Sequence, residues 1–338
     1  MCTMTHTRTR IFCPRRRLGA DPTIKAVPIK PAPIEAVPQT FPNPPLQVLT
    51  APLPWEAGWP LRIWHLASLD APTVAVVWTL SFAGAARVRL PWWTPVLVAL
   101  VVWAVYVADR LLDARGGLRS GVTTRLRERH WFHWRHRRVF APLAAAAAGV
   151  AVWIVFRYVP TPVRHRDTVL AAAALAYFTL VHVPQVLVWQ TRVAAVVARL
   201  LPKELLVGVL FTAGCVLPAW ARVSAPMAAL LVPAVAFALL GWLNCALIER
   251  WESAEISRCG SGSRAAFVLV LAALVCAGFL LAFGQPRSAG LLAAAALSAL
   301  LLAGLDRQRV RIAPVTLRAA ADLVLLVPVF ASAAWLAR

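Results

Sequence analysis

The chain has 338 residues, 60% of them hydrophobic and 14% charged, with a mean hydropathy of +0.69, which excludes an ordinary soluble domain. Its net charge is +21, which in a soluble protein would suggest nucleic acid. In so apolar a chain, basic loops that hold one side of a membrane protein explain the charge, so nucleic acid is set aside as a partner and membrane lipids are expected. The six cysteines show neither metal-ligand spacing nor a disulfide framework.

Residues 1–60 read as a disordered Pro/Arg-rich cytosolic tail. Proline-dense pieces between Pro28 and Pro45 resist helix and have little to bury. The arginine-rich beginning lacks the apolar core of a secretory signal. Residues 61–338 read as a transmembrane helical domain. From about Trp64, nine apolar segments run roughly 65–86, 91–113, 139–158, 168–189, 203–221, 226–249, 265–284, 288–304 and 319–336. Each approaches the length of about 20 residues that crosses a bilayer. The eighth is short, so eight and ten are the neighbouring counts. The expected fold class is all-α, a polytopic membrane protein of about nine transmembrane helices.

Loop charge sets the expected orientation. With the tail in the cytosol, 27 of the 35 lysines and arginines fall on the cytosolic side. The expectation is an integral protein of the cell inner membrane with a cytoplasmic N-terminus. The second and sixth segments then both end at the cytosolic face. The second ends in Asp109 and Asp113, the sixth in Asn244, Glu249, Glu252 and Glu255. Carboxylates four residues apart share a helix face and repel. At a helix C-terminus the macrodipole disfavours them as well. Either these ends are solvated, with Arg110 and Arg115 tempering them, or a cation sits between them. Oxygen ligands with substrate phosphates suit Mg2+, and apolar walls would accept a hydrocarbon tail from the bilayer.

Other residues carry weaker signals. Between Arg125 and Arg138, basic and aromatic residues alternate, as in an interfacial anchor or a cap over an anionic site. His130, His133 and His136 recur every three residues there, but the neighbouring arginines argue against zinc. Glu204 reads as the partner of Lys203 at a helix start. Arg318 and Asp322 are spaced for an i, i+4 ion pair. Asp70, with Pro72 behind it, reads as an interfacial residue or a helix start. Arg62, Trp64 and His65 read as interface markers.

With these residues in view, the sequence resembles the UbiA superfamily of intramembrane prenyltransferases. That family has nine helices and two aspartate-rich motifs after helices two and six. Asp109 and Asp113 match the last two aspartates of its first motif, N-D-x-x-D-x-x-x-D, while Val105 and Tyr106 stand at the first two positions. Asn244, Ile248 and Glu252 fall on the spacing of the second motif, with Glu249 adjacent. The stretch from Asp70 to Thr73 looks like the family's early charged-x-Pro-small element.

The resemblance implies a UbiA-like bundle and Mg2+-dependent transfer of a prenyl group from an isoprenoid diphosphate to a lipid-soluble acceptor. It further implies metal ligands at Asp109, Asp113, Asn244, Glu249 and Glu252, and diphosphate binding by Lys203. The reduced motifs favour an alternative, a non-catalytic UbiA-like protein that binds or transports a lipid. An unrelated transporter would place its coupling carboxylates nearer the bilayer midplane.

Overall fold

The computed structural model describes residues 59–121, 126–182, 203–223, 228–252 and 261–330. The tail expected at residues 1–60 falls almost wholly outside these, as does Glu255. Every regular element among the described residues is helical. In chain order they are α1 (Trp59–Leu66), α2 (Asp70–Ala85), α3 (Trp93–Arg119), α4 (Glu128–Arg135), α5 (Arg137–Tyr158) and α6 (Thr161–His182). There follow α7 (Lys203–Trp220), α8 (Ala228–Glu252), α9 (Ser261–Ala282), α10 (Pro286–Gln308) and α11 (Pro314–Leu323), which runs into a 3-10 turn at Val324–Leu326.

Five helices (α3, α5, α8, α9 and α10) are long and apolar enough to cross a membrane. The α1–α2 pair would make a sixth if it is one broken span, and α7 is a shorter apolar helix. The chain is thus an all-helical protein built like a polytopic membrane protein, with helix at each of the nine expected segments but fewer than nine full spans among the described residues.

The first expected segment is not one rod. It is two helices meeting at 90°. Ser68 adopts a positive φ of 59° at the corner. Such a break frees backbone carbonyls that a lipid environment cannot satisfy. Trp103 Nε1 of α3 donates to the Ala67 carbonyl at 3.0 Å, and Arg110 Nη1 donates to the His65 carbonyl at 3.4 Å. The corner is therefore fixed by α3 rather than by its own sequence. At the other end of α2, Arg287 Nη1 of α10 donates to the Gly84 carbonyl at 2.8 Å, where a cation also suits the helix dipole.

The core sits on α2, α8 and α10. In each of α8 and α10, 61% of the span is buried, against 17–22% in α3, α5 and α9. Trp78 and Phe237 stack with ring centroids 3.8 Å apart, and Trp78 Nε1 donates to the Leu325 carbonyl at 2.9 Å. Alanines let α10 approach its neighbours closely, with Ala295, Ala296 and Ala299 all buried.

Gly208 does the same between α7 and α8. A Cβ there would come within 2.5 Å of the Ala238 carbonyl oxygen and 3.1 Å of the Trp242 nitrogen, both backbone atoms that cannot step aside. Gly208→Ala should therefore lower stability by about 1–3 kcal/mol. Gly214→Ala, where nothing lies within 4 Å, should leave it unchanged or slightly higher. Unfolding midpoints in detergent check this; equal effects at the two glycines would refute the close helix contact.

Candidate functional site

Buried charge is costly in an apolar bundle, and ionisable residues gathered there mark functional sites by default. Six helices contribute to such a gathering, in two sets that share α3, α8 and α11. Asp70 opens α2, and its Oδ1 accepts from the Ala71 amide at 2.9 Å, so the N-terminal dipole of α2 favours its charge. Its Oδ2 lies 2.6 Å from Nδ1 of His65 on α1 and 3.7 Å from Arg110 on α3. Asp322 of α11 brings Oδ2 to within 3.9 Å of the same His65 nitrogen. Asn244 of α8 donates Nδ2 to Asp322 Oδ1 at 3.0 Å. All five residues are buried, Asp322 the least so.

A second set lies at the end of α8. Glu252 accepts from Arg129 of α4 at 2.8 Å and from Arg318 of α11. Arg127 donates to the Glu252 backbone carbonyl and stands 3.9 Å from its carboxylate. Three guanidinium groups thus answer the charge that the α8 dipole opposes. On the facing side of α4, His130 Nδ1 accepts from the Arg127 amide at 3.0 Å, which caps the helix. Its Nε2 then points to Asp113 of α3 at 3.7 Å. Helix α4, read from sequence as a basic anchor or cap, thus reaches both acidic helix ends, Glu252 through Arg129 and Asp113 through the His130 ring.

His130 and His133 are buried and His136 is exposed, so two of the three periodic histidines share an inner face. His133 Nδ1 donates to the Arg129 carbonyl at 2.9 Å, leaving Nε2 to accept from Ser68 Oγ at 3.0 Å. Burial, with Arg110 adding to it, pushes the His133 imidazole from 6.5 down to about 4, and burial beside Arg129 lowers His130 further.

The sign follows from linkage. Above pH 6.5 neither state binds the proton; below it the unfolded chain takes up protons that the folded chain refuses, so stability falls as pH drops from 6.5 towards 4. By pH 5, His133 should account for about 1–2 kcal/mol of that loss. The unfolding midpoint of the solubilised chain should drop between pH 7 and pH 5, and His133→Gln should flatten part of the drop. Identical slopes in the two proteins would show that His133 is not the group.

The expected ligands are distributed unevenly over these contacts. Asn244 joins the Asp70–His65–Asp322 group, Asp113 faces His130, and Glu252 is held by arginines. Asp109 is buried on α3 and Glu249 half-buried on α8, each with partners of its own. Lys203 is the first residue of α7, and its side chain lies outside the described residues.

The two departures from the resembling motif have visible roles. Val105 is 37% exposed and turns away from the site. Tyr106 carries the Arg110 guanidinium over its ring at 5.0 Å, beside Asp70. Asp322, expected to pair with Arg318, contacts Asn244 and His65, while Arg318 binds Glu252. His65, read as an interface marker, is instead 2% exposed at the centre of the group. Sequence reasoning missed it because nothing local distinguishes it; an ionisable residue within an apolar segment was the available signal for Asp322.

For a divalent cation the fit is best around Asp322. One oxygen each from Asp70 and Asp322 and Nδ1 of His65 lie within 4.8 Å of one another. Asn244 Oδ1 is buried without a hydrogen-bond partner among the described residues, a free oxygen donor beside them. At Glu252 the guanidinium groups already occupy the ligand positions. No family model matches the chain, no curated protein matches it and no solved structure matches it. The resemblance to prenyltransferases therefore rests on the sequence's segment pattern and motif residues alone.

Proposed function

We propose that the chain moves a prenyl group from an isoprenoid diphosphate to a lipid-soluble acceptor, in a Mg2+-dependent reaction at the arginine-rich face of an inner-membrane helical bundle with a cytoplasmic N-terminus. The observation that carries this reading is the gathering of carboxylates and guanidinium groups from six helices at one buried polar centre. Opposite charges in one apolar setting suit a ligand that is an anion bridged by a cation.

Arg110, Arg129 and Arg318, which are engaged by Asp70 and Glu252, would turn to the diphosphate oxygens and bind them by charge-assisted hydrogen bonds. Asp70, Asp322 and Asn244 Oδ1 would hold the cation, with Asp109 and Asp113 on the adjoining face of α3. A divalent cation there would neutralise the diphosphate leaving group as the carbon–oxygen bond breaks. Lys203 remains the expected further contact to the diphosphate. The apolar helix walls exclude water, so the electron-poor prenyl carbon meets the acceptor's nucleophilic atom, which then gives up its proton to the departing diphosphate.

A second reading, a non-catalytic UbiA-like protein that binds or carries a lipid, is favoured by one feature: Glu252 is clamped by three arginines instead of standing open to a metal.

Turnover separates the two. The purified chain in detergent is given Mg2+, radiolabelled isoprenoid diphosphates of several lengths and a pooled membrane-lipid extract. Labelled lipid that disappears with EDTA and with Asp109→Ala supports transfer. Binding without product at every length supports the second reading, and failure to bind removes both.

A further inference from the structure

A shallow crevice of about 360 Å3 lies on the outer side of α3 and α5, built from residues other than those of the buried centre. Arg115, Arg137 and Arg138 form its rim, with Trp134 at one wall. Its floor is apolar: Leu111, Leu112, Ala141 and Pro142. Both flanking helices are candidate membrane spans, and the crevice sits at their arginine-rich ends.

The rim is built for an anion. Arg137 is held in place, its Nη1 donating to the Trp134 carbonyl at 3.0 Å and its guanidinium 4.7 Å from the Trp134 ring centroid. Its remaining N–H groups are left for another acceptor. Among the described residues, no carboxylate lies within 4.0 Å of Arg115 or Arg138.

The floor continues outward. Val139 is 56% exposed and Leu143 51%, and Val150 further along α5 is exposed too. Three cations with no carboxylate partner among the described residues, over an apolar track that runs along a membrane span, match an anionic headgroup with an acyl chain below it. Basic pockets beside transmembrane helices bind such headgroups, and a tryptophan at this level belongs to the interfacial aromatic belt.

We infer that this crevice is a binding site for one anionic phospholipid of the adjoining leaflet, its phosphate on Arg115, Arg137 and Arg138 and an acyl chain along the outer face of α5. The inference does not rest on the proposed catalytic reading, because no residue lining the crevice is one of its proposed ligands.

Native mass spectrometry of the full chain in detergent, with equal amounts of dioleoyl phosphatidylglycerol and dioleoyl phosphatidylcholine, tests it. The expected result is retention of one phosphatidylglycerol per chain in preference to phosphatidylcholine. Arg115→Gln/Arg138→Gln should weaken that preference roughly thirty-fold, since each arginine near an anionic surface contributes about fivefold. Arg311→Gln, an exposed arginine elsewhere, should leave it unchanged. Equal retention of the two lipids overturns the inference, as does an equal loss with Arg311→Gln, which would reduce the effect to bulk charge. Displacement of the lipid by inorganic diphosphate or by an isoprenoid diphosphate at equimolar amounts would assign the crevice to a substrate instead, and also overturns it.

Discussion

Glu252→Ala should be the most destabilising single change at the polar centre, lowering stability by about 3–5 kcal/mol. The carboxylate accepts from Arg129 and Arg318, each about nine-tenths or more buried, and lies near Arg127. Removing it leaves buried guanidinium groups facing one another without an anion. The cost lies in the stranded cations more than in the lost bonds, which makes a sharper test possible. Glu252→Gln keeps an acceptor oxygen and should cost less. Glu252→Leu combined with Arg129→Leu should recover part of the loss relative to Glu252→Ala, because replacing both partners of a buried pair by apolar residues is far less costly than orphaning one. Unfolding midpoints in detergent give the order. If the double variant is the least stable of the three, the clamp is not what holds α8 to α4 and α11.

The second large effect is on function without stability. Asp322→Asn preserves size and removes one of two carboxylates whose oxygens approach within 4.8 Å. Like charges so close and so buried repel, so neutralising one should leave the unfolding midpoint within about 1 kcal/mol of the parent. If Asp322 and Asp70 hold the cation, the same change should lower prenyl transfer by roughly a hundredfold or more, the scale on which a misplaced metal or its supporting shell costs activity. Asp109→Ala should lower transfer likewise if α3 contributes ligands. A variant that keeps full turnover would remove its aspartate from the proposed chemistry.

These expectations show which parts of the molecule were legible in its sequence. Apolar runs of bilayer length are a local property, so helix appears at each expected segment. The acidic ends of α3 and α8 were equally visible, because carboxylates against a helix dipole need no partner to be noticed. What answers them was not visible. The bonds to Glu252 come from residues 123 and 66 positions away, and the Asn244–Asp322 bond spans 78. No local pattern encodes such a meeting.

The same holds for the α1–α2 corner. Its sequence contains no glycine or proline between Leu66 and Asp70. The turn is imposed by Ser68 in a positive φ and by Trp103 and Arg110 from α3. That corner is also what carries His65 inward, which explains why a residue read as an interfacial marker lies at the centre. Of the three periodic histidines His130 and His133 are buried and His136 is exposed, and the use of the buried two is structural: two neutral rings wedged among arginines.

The most direct measurement is the binding of geranylgeranyl diphosphate to the purified full chain by isothermal titration, with Mg2+ and with EDTA, in the parent and in Asp322→Asn. The account predicts binding that requires Mg2+ and that weakens at least tenfold in Asp322→Asn while the unfolding midpoint holds. Equal affinity in EDTA and in the variant would contradict it, and would leave the six-helix polar centre as a structural clamp.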